Sequence, residues 1–165
     1  MYEFIFILET RSSKKTDWMY IKSTIDYYYK PRSFGIKKIF ARTKSELIKQ
    51  DFKIEELIKE ASRKPIVIIC ADFDRVEVIN DRILKYCNSY SYELIWMNLD
   101  VEDVYLGKQI KDKNKGEEAI NFLKRKDYII SKLDNLSEIN PLEGRHKSNI
   151  LVILDKYLER KEIED

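Results

Sequence analysis

Glycine is scarce in this chain. Four occur among 165 residues, no two of them near each other. That excludes the phosphate-cradling loops built on clustered glycines, GxxxxGK[ST] and GxGxxG, and no GxSxG nucleophile elbow is present either. Cysteine is limited to Cys70, inside an apolar run, and Cys87, in a predicted helix. Two such thiols give neither a disulfide framework nor a zinc pattern, and both read as core residues in a reducing compartment. The single histidine, His146, reads more simply as a surface side chain than as an acid or base. The longest uninterrupted apolar run is "IVIICA", far short of the roughly 20 residues of a membrane span. A formal net charge of +2 gives no global field that would announce a nucleic-acid or membrane partner. The first eight residues are apolar but contain Glu3, lack a preceding basic region and are followed by no small-residue cleavage site. No targeting segment is read there, and a cytoplasmic location is expected.

What is present is an alternation of strands and helices. "YEFIFIL" is a short β-preferring run, followed by a polar "RSSKK" loop. Thr16 or Asp17 can cap a helix to about Tyr29, with Trp18, Ile21 and Ile25 on one face, closed by Pro31. "FGIKKIFA" is a second strand. "SELIKQDFKIEELIKEAS" is amphipathic, with a break near Asp51. After Pro65, "IVIICA" is apolar at every position, as suits a strand buried on both faces of a parallel sheet. "VEVINDRILKYCNSY" is helical and "YELIWMN" is a fourth strand. "VEDVYLGKQI", "KGEEAINFLKRKDYIISKL" and "ILVILDKYLERKEIED" are predicted helices. This order predicts one α/β domain over 1–165: a core over 1–107 with a mainly parallel four-stranded sheet in the order 2-1-3-4, and a helical C-terminal extension over 108–165.

In sheets of this kind ligands bind beyond the carboxyl ends of the strands, where strand order reverses. Two apolar segments end there on bare carboxylates. Glu9 closes the first strand, and Asp72 and Asp74 close the third. Asn98 ends the fourth strand at the same rim, with Asp100, Glu102 and Asp103 just beyond. Any one of these acids alone is more simply a helix cap or a solvated loop residue. Together they would repel one another unless a cation or protons intervene. Oxygen ligands without His or Cys favour a hard ion, Mg2+ or Mn2+. Such an ion can polarise a phosphoryl oxygen and orient a nucleophilic water.

A glutamate ending the first strand and an Asp-x-Asp ending the third resembles the Toprim domain of topoisomerases, primases and OLD-type nucleases. More narrowly, the chain resembles the RloB-like family of Toprim proteins. "ETRSSKKTDWMY" offers Glu9, Thr16 and Asp17 for that family's first-strand glutamate and its Thr-Glu before a helix. "WMNLDVEDVYL" offers Asn98 and Glu102, and "HKSNILVILDKYL" offers its closing polar segment and apolar helix. The resemblance implies Glu9 as general acid/base or metal-proximal ligand, Asp72 and Asp74 as catalytic magnesium ligands, and Glu102 as a further ligand. It also implies a nuclease acting on DNA or RNA in phage or mobile-element defence, with a partner protein of such a system. Two departures stand out. The glycine that often follows the Toprim Asp-x-Asp is missing in "DFDRVEV", and "RSSKK" lengthens the loop beside Glu9. They motivate the alternative of a non-catalytic Toprim-like module binding nucleic acid or a partner protein. A receiver-like signalling domain is a third alternative, but no lysine follows the fourth strand where it would need one.

Nucleic-acid contacts are expected from local basic groups. No acid lies between Asp26 and Glu46, a stretch carrying Lys30, Arg32, Lys37, Lys38, Arg42 and Lys44 after "YYY". Cations beside aromatics can neutralise phosphates while rings stack on bases. An edge strand with lysines facing water explains the same pattern. Lys14 and Lys15 lie nearer Glu9 and can clamp a phosphate, and Arg145 and Lys147 flank His146. "KRK" at 124–126 reads as a solvated helix face.

Overall fold

The computed structural model describes residues 1–9, 15–30 and 34–162. Four strands, β1 (Tyr2–Glu9), β2 (Phe34–Ala41), β3 (Lys64–Phe73) and β4 (Glu93–Asn98), form one parallel sheet in the order β2-β1-β3-β4. This is the expected architecture and strand order. β1 and β3 occupy the middle because both faces of each are apolar. Phe4, Phe6 and Leu8 of β1, with Ile68 and Cys70 of β3, feed one core, whereas Ile5, Ile7, Val67 and Ile69 feed a second on the opposite face. The period of two along a strand sorts these side chains between the faces.

Helices cover both faces. On one side lie α2 (Asp51–Glu60) and α3 (Glu77–Tyr90), which bury Ile54, Ile83 and Cys87 against the sheet. On the other side are α1 (Thr16–Tyr28), α4 (Val101–Leu106), α5 (Asp112–Leu123), α6 (Lys126–Ser131) and α7 (Ile150–Leu154). The C-terminal helices are not an appendage. Ala119, Phe122, Ile130, Leu136 and Ile150 belong to the same core as Phe4 and Ile25. Tyr20 of α1 packs on Phe122 of α5 with ring centroids 4.4 Å apart. Among the described residues no helix is long and apolar enough to cross a membrane.

Several boundaries differ from expectation, each for a local reason. The stretch after Thr43, by contrast, breaks near Asp51 as expected, into a 3-10 turn (Lys44–Glu46) and α2. "KGEEAINFLKRKDYIISKL" breaks between Leu123 and Lys126, separating α5 from α6. The final helix stops at Leu154 rather than running to the acidic end. Residues beyond it form turns, and the chain then pairs Arg160 with Tyr29 in an antiparallel bridge, with Lys161 N donating to Tyr28 O at 2.7 Å. α1 starts at Thr16 itself. Its N-cap, Lys15, has φ 49° and supplies no side-chain cap.

β4 would be an open edge, but residues 135–149 close it. Asn149 acts as a strand substitute: its Oδ1 accepts from Trp96 N at 2.8 Å and its Nδ2 donates to Leu94 O at 3.0 Å. Ser148 bridges Met97, and Asn98 N donates to Lys147 O at 2.9 Å. Covering an edge in this way blocks pairing with other chains.

Candidate functional site: a carboxylate cluster at the strand ends

Because β1 lies next to β3 in the sheet, Glu9 and Asp72 share the carboxyl rim. A cavity of about 520 Å³ opens there, lined by Glu9, Thr16, Asp17, Asp72, Asp74 and Asp100 on the side of the strand ends. The opposing wall comes from the start of α5 and the segment before it, including Gln109, Lys113 and Lys115.

The carboxylates are crowded enough to disturb one another. Burial raises the Asp17 carboxyl from its ordinary 3.8 to about 7, helped by the negative charges of Glu102 and Glu9 and opposed by Lys115 and by a bond from Thr16. Burial also raises Asp72 well above the usual carboxylate range, with Asp17, Asp100 and Glu9 adding to the effect and Lys115 opposing it. Glu102 is raised by burial as well, against the pull of Lys115. Burial would lower the Lys115 ammonium, but Glu102, Asp100 and Asp72 outweigh it and hold the group above its ordinary value. Among the described residues, the carboxylates of the cluster outnumber the cations that oppose them. Bound protons or a cation lower the repulsion among carboxylates crowded in this way.

Lys115 is the principal internal counter-charge. Its Nζ stands 2.9 Å from Glu102 Oε2 and 3.7 Å from Asp100 Oδ2. Glu102 is fully buried, and its other oxygen, Oε1, has no hydrogen-bond partner among the described residues. Asp100 also caps α4, accepting from Asp103 N at 2.8 Å. For Asp100, then, the capping explanation and membership of the cluster both hold.

The two aspartates of the Asp-x-Asp pair part company. Asp72 belongs to the cluster with Asp17 and Glu9. Asp74 lines the cavity rim, but its Oδ1 accepts from the buried Lys44 Nζ at 2.8 Å and from Val76 N at 3.0 Å. β3 ends at Phe73, so the alternation that would aim both side chains the same way has lapsed by Asp74. Asn98 is engaged in structure: its Nδ2 donates to Pro141 O at 2.9 Å and also to Gly144 O. The His146 ring lies 2.9 Å from Asp103 Oδ2, through Nδ1.

The basic residues of "FGIKKIFAR" do not form one stripe. β2 is an edge strand, and neighbouring residues on it point to opposite faces. Lys38 lies over the Trp18 ring at 5.1 Å on the α1 side, where Lys15 lies over Phe40 at 4.4 Å. Lys37 is on the other face, 3.9 Å from Glu3 and 3.7 Å from Glu60. Arg42 is exposed beyond the strand end. Arg145 is exposed in the segment covering β4, and Lys147 pairs with Glu138 at 3.5 Å. Lys14 lies outside the described residues.

Two members of the cluster were not singled out as site residues from sequence. Asp17 was legible only as a possible cap, and as the match to the Thr-Glu of the family pattern. Lys115 carried no signal, because it reaches the site by the docking of α5 on α1. Among the described residues, no three carboxylate, imidazole or thiol groups stand together as a ready-made metal cage. No protein-family model matches the chain, and no curated protein matches it.

Proposed function

We propose that this protein is a Toprim-like, magnesium-dependent phosphodiesterase, a nuclease acting on DNA or RNA. The observation that carries the reading is the gathering of Glu9, Asp17 and Asp72 around one cavity at the carboxyl rim, with Asp17 and Asp72 both held above the usual carboxylate range. A divalent cation would relieve that crowding. The all-oxygen donor set favours magnesium or manganese over zinc. The lack of a three-group cage is compatible with magnesium, which typically takes one or two protein carboxylates and keeps several waters.

Glu9 and Asp72 would hold the ion. Asp74 and Glu102 each have one carboxylate oxygen already engaged, by Lys44 and by Lys115. When bound, the ion supplies neutralisation of charge at a phosphoryl oxygen. The chain's own groups supply the rest. Lys113, on the opposite wall, orients a phosphate. A carboxyl near 7, such as Asp17, is suited to holding or releasing a proton at neutral pH. Glu9, where it is not itself bound to the ion, would accept the proton of an attacking water. A role in phage or mobile-element defence, with a partner protein, is drawn from the family resemblance alone.

The second reading is a non-catalytic module. It is favoured by the two lysines that already neutralise acids of the site, Lys44 at Asp74 and Lys115 at Glu102. Cleavage of labelled single- and double-stranded DNA and RNA with and without magnesium separates the readings. The enzyme reading expects metal-dependent cutting that disappears in Glu9→Gln and in Asp72→Asn. Equal cutting by both variants and the parent protein would overturn it.

A further inference from the structure

The α5–α6 corner presents an aromatic ring between cations. Tyr128 is 60% exposed on α6, whose Ile130 is buried. The Arg125 guanidinium carbon lies 5.5 Å from the ring centroid, and the Lys132 Nζ lies 5.9 Å from it. Lys124 and Lys126 adjoin them, so four cations are set against Asp127 and Asp134 in this stretch. Lys124, Arg125 and Lys132 are exposed, and none of the four has a carboxylate partner among the described residues. Helical spacing of three and four residues brings Arg125, Tyr128 and Lys132 onto one face and gathers an exposed ring and two cations there.

We propose that this corner is a stacking platform for single-stranded nucleic acid, with a base on the Tyr128 ring and flanking phosphates on Arg125 and Lys132. An exposed ring offers every base a face, and guanidinium and ammonium groups neutralise the backbone beside it. Single strands are favoured over duplex because the face of a ring is useful only to an unstacked base. Lys113 and Lys115 line the cavity from the start of α5, and Lys124 follows its end, about 18 Å along a helix of this length. The corner and the cavity are thus separated by the length of α5, whose exposed positions include Glu117. The inference uses the phosphodiesterase reading only for the fate of the strand; the binding itself does not need it.

The test is fluorescence anisotropy with labelled oligothymidylate and oligouridylate, and with a duplex of equal length, in EDTA so that no metal chemistry contributes. Saturable binding of either single strand, weaker for the duplex, is expected. Tyr128→Ala should weaken it about tenfold, and Tyr128→Phe should change it by less than about twofold. Arg125→Gln with Lys132→Gln should reduce the slope of log affinity against log salt by about 1.4. Because these side chains are exposed, melting curves should match those of the parent protein. No binding, equal binding by Tyr128→Ala, or tighter binding of duplex would overturn the proposal. Failure here with metal-dependent cleavage intact removes the platform alone, whereas binding without cleavage removes the enzyme reading alone.

Discussion

Lys115 Nζ lies 2.9 Å from Oε2 of Glu102, a carboxylate with no solvent exposure, and the pair joins α5 to α4 beneath the cavity. Removing the lysine strands a buried charge. Lys115→Met should cost about 3–5 kcal/mol near pH 8. Burial already raises Glu102, and Lys115 is the main group pulling it down, so in the variant its carboxyl climbs further. The deficit should therefore shrink as pH falls and Glu102 takes up a proton. Adding Glu102→Gln should recover most of the loss. Urea unfolding at about pH 8 and pH 5.5 checks all three expectations.

The Asp17 carboxyl gives stability a downward slope with pH. Its folded value is about 7 against an ordinary 3.8, so between those values the folded state binds more protons than the unfolded one. Its favourable contribution is complete below about pH 4 and is lost as pH rises toward 7. Asp72, also raised, acts in the same direction. Asp17→Asn should flatten the profile and raise the denaturation midpoint at pH 8. Parallel pH profiles for parent and variant would contradict this.

The two aspartates of "DFD" should respond in opposite ways. Asp74→Asn weakens a bond to the buried Lys44 and should cost about 1–3 kcal/mol. Asp72→Asn relieves repulsion among carboxylates and should leave stability unchanged or raised, while the proposed phosphodiesterase activity should be lost. Denaturant midpoints and a cleavage assay on the same two variants provide the comparison.

Asn149 tests how the sheet edge is closed. Its two bonds to β4 are each worth about 1 kcal/mol, so Asn149→Ala should cost about 2 kcal/mol. Amide hydrogen exchange at Trp96, the donor to Asn149 Oδ1, should speed up.

The sheet was legible because its signals are local. Continuous apolarity in "IVIICA" demands burial on both faces, and right-handed crossovers then leave few strand orders. The acids at the strand ends followed from that order. Less legible was anything decided by docking. Lys115 reaches Glu102 because Tyr20 and Phe122 stack, a contact far apart in sequence and without periodic signature. The separate roles of Asp72 and Asp74 depend on where β3 lets go of the sheet, a boundary the spacing of two aspartates does not reveal. Lys37 and Lys38 are a different case. Adjacent positions on a strand face opposite ways, so their separation followed from strand periodicity alone.

Calorimetric titration of magnesium into the protein near pH 8, repeated with Asp72→Asn, addresses the central claim most directly. Saturable binding by the parent protein that disappears in the variant is the expected result. A silent titration of the parent, or undiminished binding by Asp72→Asn, would contradict the account.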